Sequence, residues 1–315
     1  MPTADRNYEQ HDFDLEAALE RKQGGRKMKM KDMMMKVVAL TAIVSLSFLP
    51  TIAFADDMVQ IKGSDTMVNL GQAWAEEFMF QHPEVSIAVT GGGSGTGVAA
   101  LINGTCDIAE TSREMKQQEK DLARQKGHDV HEIKTAIDAL AVVINPANPV
   151  KQLTIEQLSG IFTGRITNWN EVGGKDQEIL VLSRDRNSGT HVYFLEHVVR
   201  LGNEKGPEQF APAVLMLPSN QAIIEEVAQS ESAIGYVGLG YVSDRVNTLA
   251  VSKSSEGPFV APSMETAMDK TYPLARPLLF YTETKPEGTV KEFIEFVLSV
   301  DGQQIVKDMD FVPLG

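Results

Sequence analysis

The stretch Ile179 to Arg200, ILVLSRDRNSGTHVYFLEHVVR, decides how the rest of the chain is read. It opens on a short apolar run, Ile179 to Leu182, of strand length and composition. It then turns through small, polar and charged residues from Ser183 to Thr190. Val192, Leu195, Val198 and Val199 follow at three- and four-residue spacing, which predicts a helix. Asn187 or Ser188 can cap it. The product is a strand, a loop holding Arg184 and Arg186, and a helix start that carries hydroxyls. The first N–H groups of a helix lack intrahelical partners and carry partial positive charge, so an anion is favoured there. Arg184 adds a planar donor fork suited to a tetrahedral oxyanion.

Working outward, the same design occurs twice more. Met58 to Ile61 reads as a strand, Lys62 to Thr66 as its loop, and Met67 to Phe80 as a helix with Met67, Leu70, Trp74 and Phe78 on one face. Val85 to Val89 is a second strand, Thr90 to Gly97 its loop, and Val98 to Asn103 a short helix. Cys106 to Ala109 is a third strand leading into Glu110-Thr111-Ser112-Arg113, and a polar helix runs from Lys116 to Lys126. In open α/β sheets ligands bind beyond the carboxyl ends of the strands. Three hydroxyl-bearing loops at such ends predict one anion site.

The glycines do not signal a nucleotide. Val98-Ala99 follow Gly97 where a P-loop needs Lys and Ser/Thr. Gly95-x-Gly97-x-x-Ala100 fits the dinucleotide pattern loosely and lacks the acid about twenty residues on.

Further along, Asp138 enters an apolar run, Ala139 to Ile144, that ends in Asn145-Pro146-Ala147-Asn148-Pro149. The two prolines suit a rigid crossover between domains. Thr154 with Gln157 forms a capping box for a short helix beginning near Leu153. Ser219 caps a helix over Gln221 to Gln229, and Ala233 to Gly238 is a strand. Residues 245–251 and 274–281 read as strands, and Thr289 to Lys307 as one closing amphipathic helix.

Composition narrows the function classes. The chain has 315 residues, 43% apolar and 23% charged, which is room for two domains with real cores. Its net charge is −14; residues 56–315 hold 21 basic and 36 acidic side chains, a net −15. A nucleic-acid binder carries a basic face, so that class is set aside. An anion must be drawn by local dipoles and a few arginines against a repelling global field. A single cysteine, Cys106, excludes a disulfide framework and a cysteine metal cluster, and reads as a small buried hydrophobe. The six histidines form no recognisable metal set, and only His191 lies near the arginine loop. A nucleophilic serine needs a nearby base, so neither a catalytic residue nor a metal is expected, and no cofactor is called for.

Residues 28–55 have the three parts of an export signal: Lys29, Lys31 and Lys36, an apolar core from Val37 to Leu49, and Ala53-Phe54-Ala55 as a small-x-small cleavage site. The core is too short to span a bilayer comfortably. Cleavage near Ala55-Asp56 is expected, which places the mature chain in the periplasm. Residues 1–27 are a polar extension, read as a start-site artefact with translation beginning at Met28 or Met30.

Together Gly63-Ser64-Asp65-Thr66, Gly91 to Gly97, Ser112-Arg113-Glu114, Ala136-Ile137-Asp138, LTIEQLSGIFTGRITNW from Leu153 to Trp169, Arg184 to Thr190 and Ala233-Ile234-Gly235-Tyr236 resemble the periplasmic phosphate-binding protein family of the high-affinity phosphate ABC transporter. The resemblance implies an α/β, two-lobe periplasmic-binding-protein fold of type II, with two hinge crossings and the ligand in the interlobe cleft. It places lobe I at 56–144 and 241–315 and lobe II at 145–240. It implies inorganic phosphate as ligand, the permease subunits of a phosphate ABC transporter as partners, a monomer, and no enzymatic step. By position, Thr66 and the backbone at Met67, with Ser64 beside them, match the first family contact, and Ser94 the second. Arg184, Ser188, Gly189 and Thr190 match the contacts of the second lobe. Arg113 stands where some members carry an aspartate that accepts the phosphate proton; other branches carry Ser-Arg, as here. Asp138 is then the candidate acceptor, with Asp65 and Asp185 as alternatives. A binder of sulfate, molybdate, tungstate or arsenate, an adhesion or signalling role on the same scaffold, and a periplasmic phosphatase are the rival readings.

Overall fold

The structure is a computed structural model that describes residues 57–314. The expected extension (1–27) and signal (28–55) lie outside the described residues. In chain order the elements are β1 (Asp57–Gly63), α1 (Val68–Gln81), β2 (Val85–Thr90), α2 (Ser94–Ile102), β3 (Ile108–Thr111), α3 (Gln117–Gln125), β4 (His131–Ile144), β5 (Gln152–Thr154) and α4 (Ile155–Phe162). Then come β6 (Leu180–Arg184), α5 (Gly189–Phe194) with a π-helical continuation over Leu195–Val199, β7 (Leu215–Leu217), α6 (Asn220–Gln229), β8 (Ala233–Gly238), β9 (Asn247–Thr248), β10 (Ala250–Ser252), α7 (Met264–Met268), β11 (Ala275–Thr282), α8 (Gly288–Leu298) and α9 (Val300–Asp308).

One curled sheet runs β2-β1-β3-β11-β4-β8-β6-β7, with β9 on the end of β4; β5 and β10 pair separately. The β2, β1 and β3 group is parallel, as is the β8, β6 and β7 group. The antiparallel strands β11 and β4 join the two. β4 is long enough to serve both groups: His131 to Ala139 pair with β11, and Leu140 to Ile144 with β8. Its apolar run is buried on both faces, which suits a strand at the centre of a sheet.

Two main cores lie on either side of this pair. In the first, Leu70, Trp74 and Phe78 of α1 pack with Phe280, Phe293 and Val306. Trp74 meets Phe280 edge-on, and its indole N–H donates to the Gly302 carbonyl at 2.8 Å. In the second, Leu140, Val142 and Ile144 pack with Phe162, Trp169, Phe194 and Tyr236.

Four local expectations are revised. The segment Ser94 to Gly97 is the first turn of α2 and not loop, because Gly93 (φ 94°) makes the turn one residue earlier. The crossing between cores falls inside β4 near Asp138, and the Asn145-to-Pro149 turn comes after it. The chain does not leave the second core near residue 240: Leu249, Val251, Ala267, Tyr272 and Leu274 pack in it, and the change comes at the start of β11. The closing helix breaks at Ser299, whose hydroxyl accepts from the Gly302 N–H at 3.2 Å and caps α9. A Cβ at Gly302 would lie 2.2 Å from the Phe296 carbonyl, so the glycine permits this tight junction.

Candidate functional site

Four loops follow the carboxyl ends of β1, β2, β3 and β6, and they converge. Ser64 and Thr66 come from the first, Ser94 from the start of α2, Ser112 from the third, and Ser188, Gly189 and Thr190 from the fourth. The hydroxyls are buried and mostly pair with one another. Ser64 donates to Ser112 at 3.0 Å, Ser94 and Ser112 lie 3.4 Å apart, and the Ser112 N–H donates to Ser94 Oγ at 3.1 Å. Thr66 and Thr190, 124 positions apart, meet hydroxyl to hydroxyl at 2.9 Å. A Cβ at Gly189 would lie 2.2 Å from Ser94 Oγ, so only glycine lets the start of α5 settle on these serines. Ser188 caps α5, accepting from the His191 N–H at 3.4 Å.

A guanidinium missing from the expected set anchors the cluster. Arg276 of β11 lies opposite Asp138 of β4 in strand register. Its Nε and Nη2 both donate to Asp138 Oδ2, at 3.0 and 2.8 Å. Nη1 donates to the Ser112 carbonyl at 3.1 Å, and Nη2 also to Thr190 Oγ1 at 3.0 Å and Thr66 Oγ1 at 3.5 Å. Asp138 Oδ1 accepts from the Leu239 N–H at 3.0 Å. Burial pushes the Asp138 carboxyl up, and the attraction and hydrogen bonds of Arg276 oppose this.

Arg184 is also fully buried. Its Nη2 donates to Asp65 Oδ2 at 2.9 Å and to the Pro218 carbonyl at 2.8 Å. Its Nε and Nη1 have no partner. Asp65 Oδ1 accepts from the Gly92 N–H at 3.0 Å, so both of its oxygens are engaged.

Two expected residues are placed elsewhere. Arg113 turns away and forms a two-armed pair with Glu119, at 2.8 and 2.7 Å. Glu119 at the start of α3 offers a carboxylate in fork geometry, which outcompetes the cluster for this guanidinium. Met67 packs its side chain in the first core, and its N–H donates to the Ser64 carbonyl at 2.9 Å. The resemblance implies Arg113 at the site; the guanidinium that reaches the threonine hydroxyls is that of Arg276. A signal for it existed: Asp138 and Arg276 each interrupt an apolar strand, and such isolated opposite charges call for each other. Ser112, next to Arg113, was also missed.

The cluster is rich in donors: five hydroxyl side chains (Ser64, Thr66, Ser94, Ser112, Thr190), two arginines and the first turns of two helices. That balance suits a compact oxyanion. The two carboxylates of the cluster, Asp65 and Asp138, are each hydrogen-bonded to an arginine. His191 is buried behind the loop, stacked on Phe210, with Nδ1 3.2 Å from Ser183 Oγ; burial lowers its pKa to about 4. Among the described residues no group of three or more His, Cys, Asp or Glu is placed to hold a metal ion. No helix among them is long and apolar enough to cross a membrane.

Comparison with known proteins shows the family. The profile of the PBP superfamily domain matches residues 50–301. The phosphate-binding protein PstS of Pseudomonas aeruginosa is 33% identical over 80% of this chain and 81% of its own length. That of Bacillus subtilis is 32% identical over 82% of each. A Clostridium perfringens ABC-transporter substrate-binding protein, solved with bound phosphate, superposes with a TM-score of 0.73 at 33% identity, covering 82% of this chain and all of that one. The chain belongs to the PBP superfamily and, within it, to the family of the phosphate-binding protein PstS.

Proposed function

We propose that the chain binds inorganic phosphate at this cluster and delivers it to the membrane permease of an ABC transporter, working in the periplasm as a monomer. One observation carries the reading. Thr66, Thr190 and Arg276 meet where four strand-end loops bring further hydroxyls together. The proposed ligand set is Ser64, Thr66, Ser94, Ser112, Asp138, Arg184, Ser188, Gly189, Thr190 and Arg276. Arg113 and Met67 are left out of it. The packing supports lobes bounded near Asp138 and Arg276: residues 57–137 and 277–314 form one, and 139–275 the other, with β4 and β11 as the two crossings.

Phosphate meets one lobe and the other closes over it. Closure excludes water, so each hydroxyl and guanidinium contact strengthens as the local dielectric falls. No bond is made or broken. Asp138 is the proposed acceptor of the phosphate proton. Its Oδ2 is taken by Arg276, but Oδ1 holds a single hydrogen bond and keeps a lone pair. Sulfate has no proton to offer and sets its own lone pair against that oxygen, a mismatch of several kcal/mol.

Calorimetric titration of residues 56–315, freed of bound ligand, with phosphate and then sulfate at two pH values tests this. Heat with phosphate alone is expected, and a generic phosphomonoester should be left uncleaved. Equal heat with both anions makes the protein a general oxyanion binder. Heat with neither overturns the reading. Delivery is checked in the cell, where deletion should abolish high-affinity phosphate uptake.

A further inference from the structure

Asn187 stands just outside the hydroxyl cluster, in the turn between β6 and α5. It does not cap α5, because Ser188 does. Its hydrogen bonds instead reach the opposite lobe. The Asn187 carbonyl accepts from the Gly95 N–H at 2.9 Å. The side-chain amide donates to the Gly92 carbonyl at 2.5 Å and to Thr96 Oγ1 at 3.3 Å. Thr96 Oγ1 in turn donates to the Gly92 carbonyl at 2.7 Å, which closes the set.

The glycines of this loop are shaped to the contact. A Cβ at Gly93 would lie 2.7 Å from the Asn187 carbonyl oxygen, and one at Gly95 would lie 3.2 Å from it. Ser94 sits between these glycines, and Ser188, Gly189 and Thr190 follow Asn187 directly. One residue therefore draws two of the donor loops together, one step in sequence from the hydroxyls on each side.

We propose that Asn187 is a positioning residue that latches the closed state, and that Gly93 and Gly95 are its seat on the other lobe. The proposal rests on the reading of the protein as a closing phosphate trap. A latch that holds the closed state, with or without ligand, acts mainly on release, since affinity differences within one interface fall mostly on the off-rate.

The test uses the mature chain with Asn187→Ala and, separately, Gly95→Ala. Phosphate association and release are followed by stopped flow, the compactness of the ligand-free protein by small-angle scattering, and stability by thermal unfolding. Asn187→Ala should release phosphate about tenfold faster, for the loss of one or two hydrogen bonds, with association unchanged. Gly95→Ala should also speed release, yet hold or raise the unfolding temperature, because alanine favours a helical turn over glycine. A residue that merely supported the fold would not separate the two readouts. Unchanged release and unchanged scattering in both variants overturn the latch and leave phosphate binding intact. If the unaltered protein binds no phosphate, the functional reading falls. The scattering then still decides the latch: a more extended Asn187→Ala protein supports it, and an identical one overturns it.

Discussion

Arg276 and Arg184 are both buried and each faces one aspartate, yet they are held in opposite ways. Arg276 has all three guanidinium nitrogens engaged, and its carboxylate lies beside it on the neighbouring strand. Arg184 uses one nitrogen twice and leaves Nε and Nη1 without partners; its carboxylate, Asp65, comes from the loop after β1, 119 positions away. A buried donor without a partner costs about 1–3 kcal/mol. Burial accordingly lowers the Arg184 pKa, against the pull of Asp65. The difference separates two tasks. Arg276 is a pin at the crossing strands that also points at the threonines. Under the proposed function, Arg184 is the donor whose two unpartnered nitrogens would meet the oxyanion.

The largest effect should come from breaking the pin. Arg276→Met strands Asp138 as an unpaired buried carboxylate and should cost about 3–5 kcal/mol in denaturant unfolding. Converting both, Arg276→Met with Asp138→Leu, should return most of that stability while phosphate binding stays lost. If the single variant is as stable as the parent, the pair does not hold the crossing.

Glu110 sharpens the comparison, because it is a buried carboxyl with no arginine at all. Both of its oxygens lack partners, and it packs so closely on α1 that a Cβ at Gly71 would lie 2.1 Å from Oε1. Burial raises its pKa from an ordinary 4.5 to about 8. The folded state thus holds a proton that the unfolded chain gives up earlier. The Glu110 contribution is whole below about pH 4.5, declines as pH rises, and is lost once pH passes about 8. The total is roughly 5 kcal/mol. Unfolding measured across that window should show the decline in the parent and a flatter curve in Glu110→Gln. Equal slopes would mean that Glu110 is charged in the fold.

The smallest change in stability belongs to Arg184. Arg184→Met removes a desolvated cation with two unpartnered nitrogens, and the Asp65 left behind is partly exposed, so the variant should stay within about 1 kcal/mol of the parent. Phosphate affinity should nevertheless fall about a hundredfold or more, as when a hydrogen-bonded buried charge loses its partner. A stability loss as large as that of Arg276→Met would erase the distinction between the two arginines.

The hydroxyl-bearing loops that converge in the structure were legible in the residue order. Ser64, Thr66, Ser94, Ser188, Gly189 and Thr190 lie in strand–loop–helix units and were singled out there by the family resemblance, and the structure brings them together. Caps were legible too. Thr154 with Gln157 forms the expected capping box, and Ser219 caps α6. The misreadings share a cause. Arg113 looked available because Glu119, its partner, is chosen by side-chain geometry at the start of α3 and not by the local loop pattern. Ser299 was read through as mid-helix because its cap depends on how closely Gly302 approaches Phe296.

The sequence by itself determined the α/β alternation, the acidic balance, the hydroxyl-bearing loops and the helix caps, because each is set within about one turn or one strand of its own residues. Only the tertiary structure decided which cation joins the cluster, where the chain passes between cores, and which asparagine meets the Gly92-to-Thr96 loop. Asp138 meets Arg276 across 138 positions, and Asn187 meets Gly92 across 95. Those pairings are fixed by strand register and by packing, which no local pattern specifies.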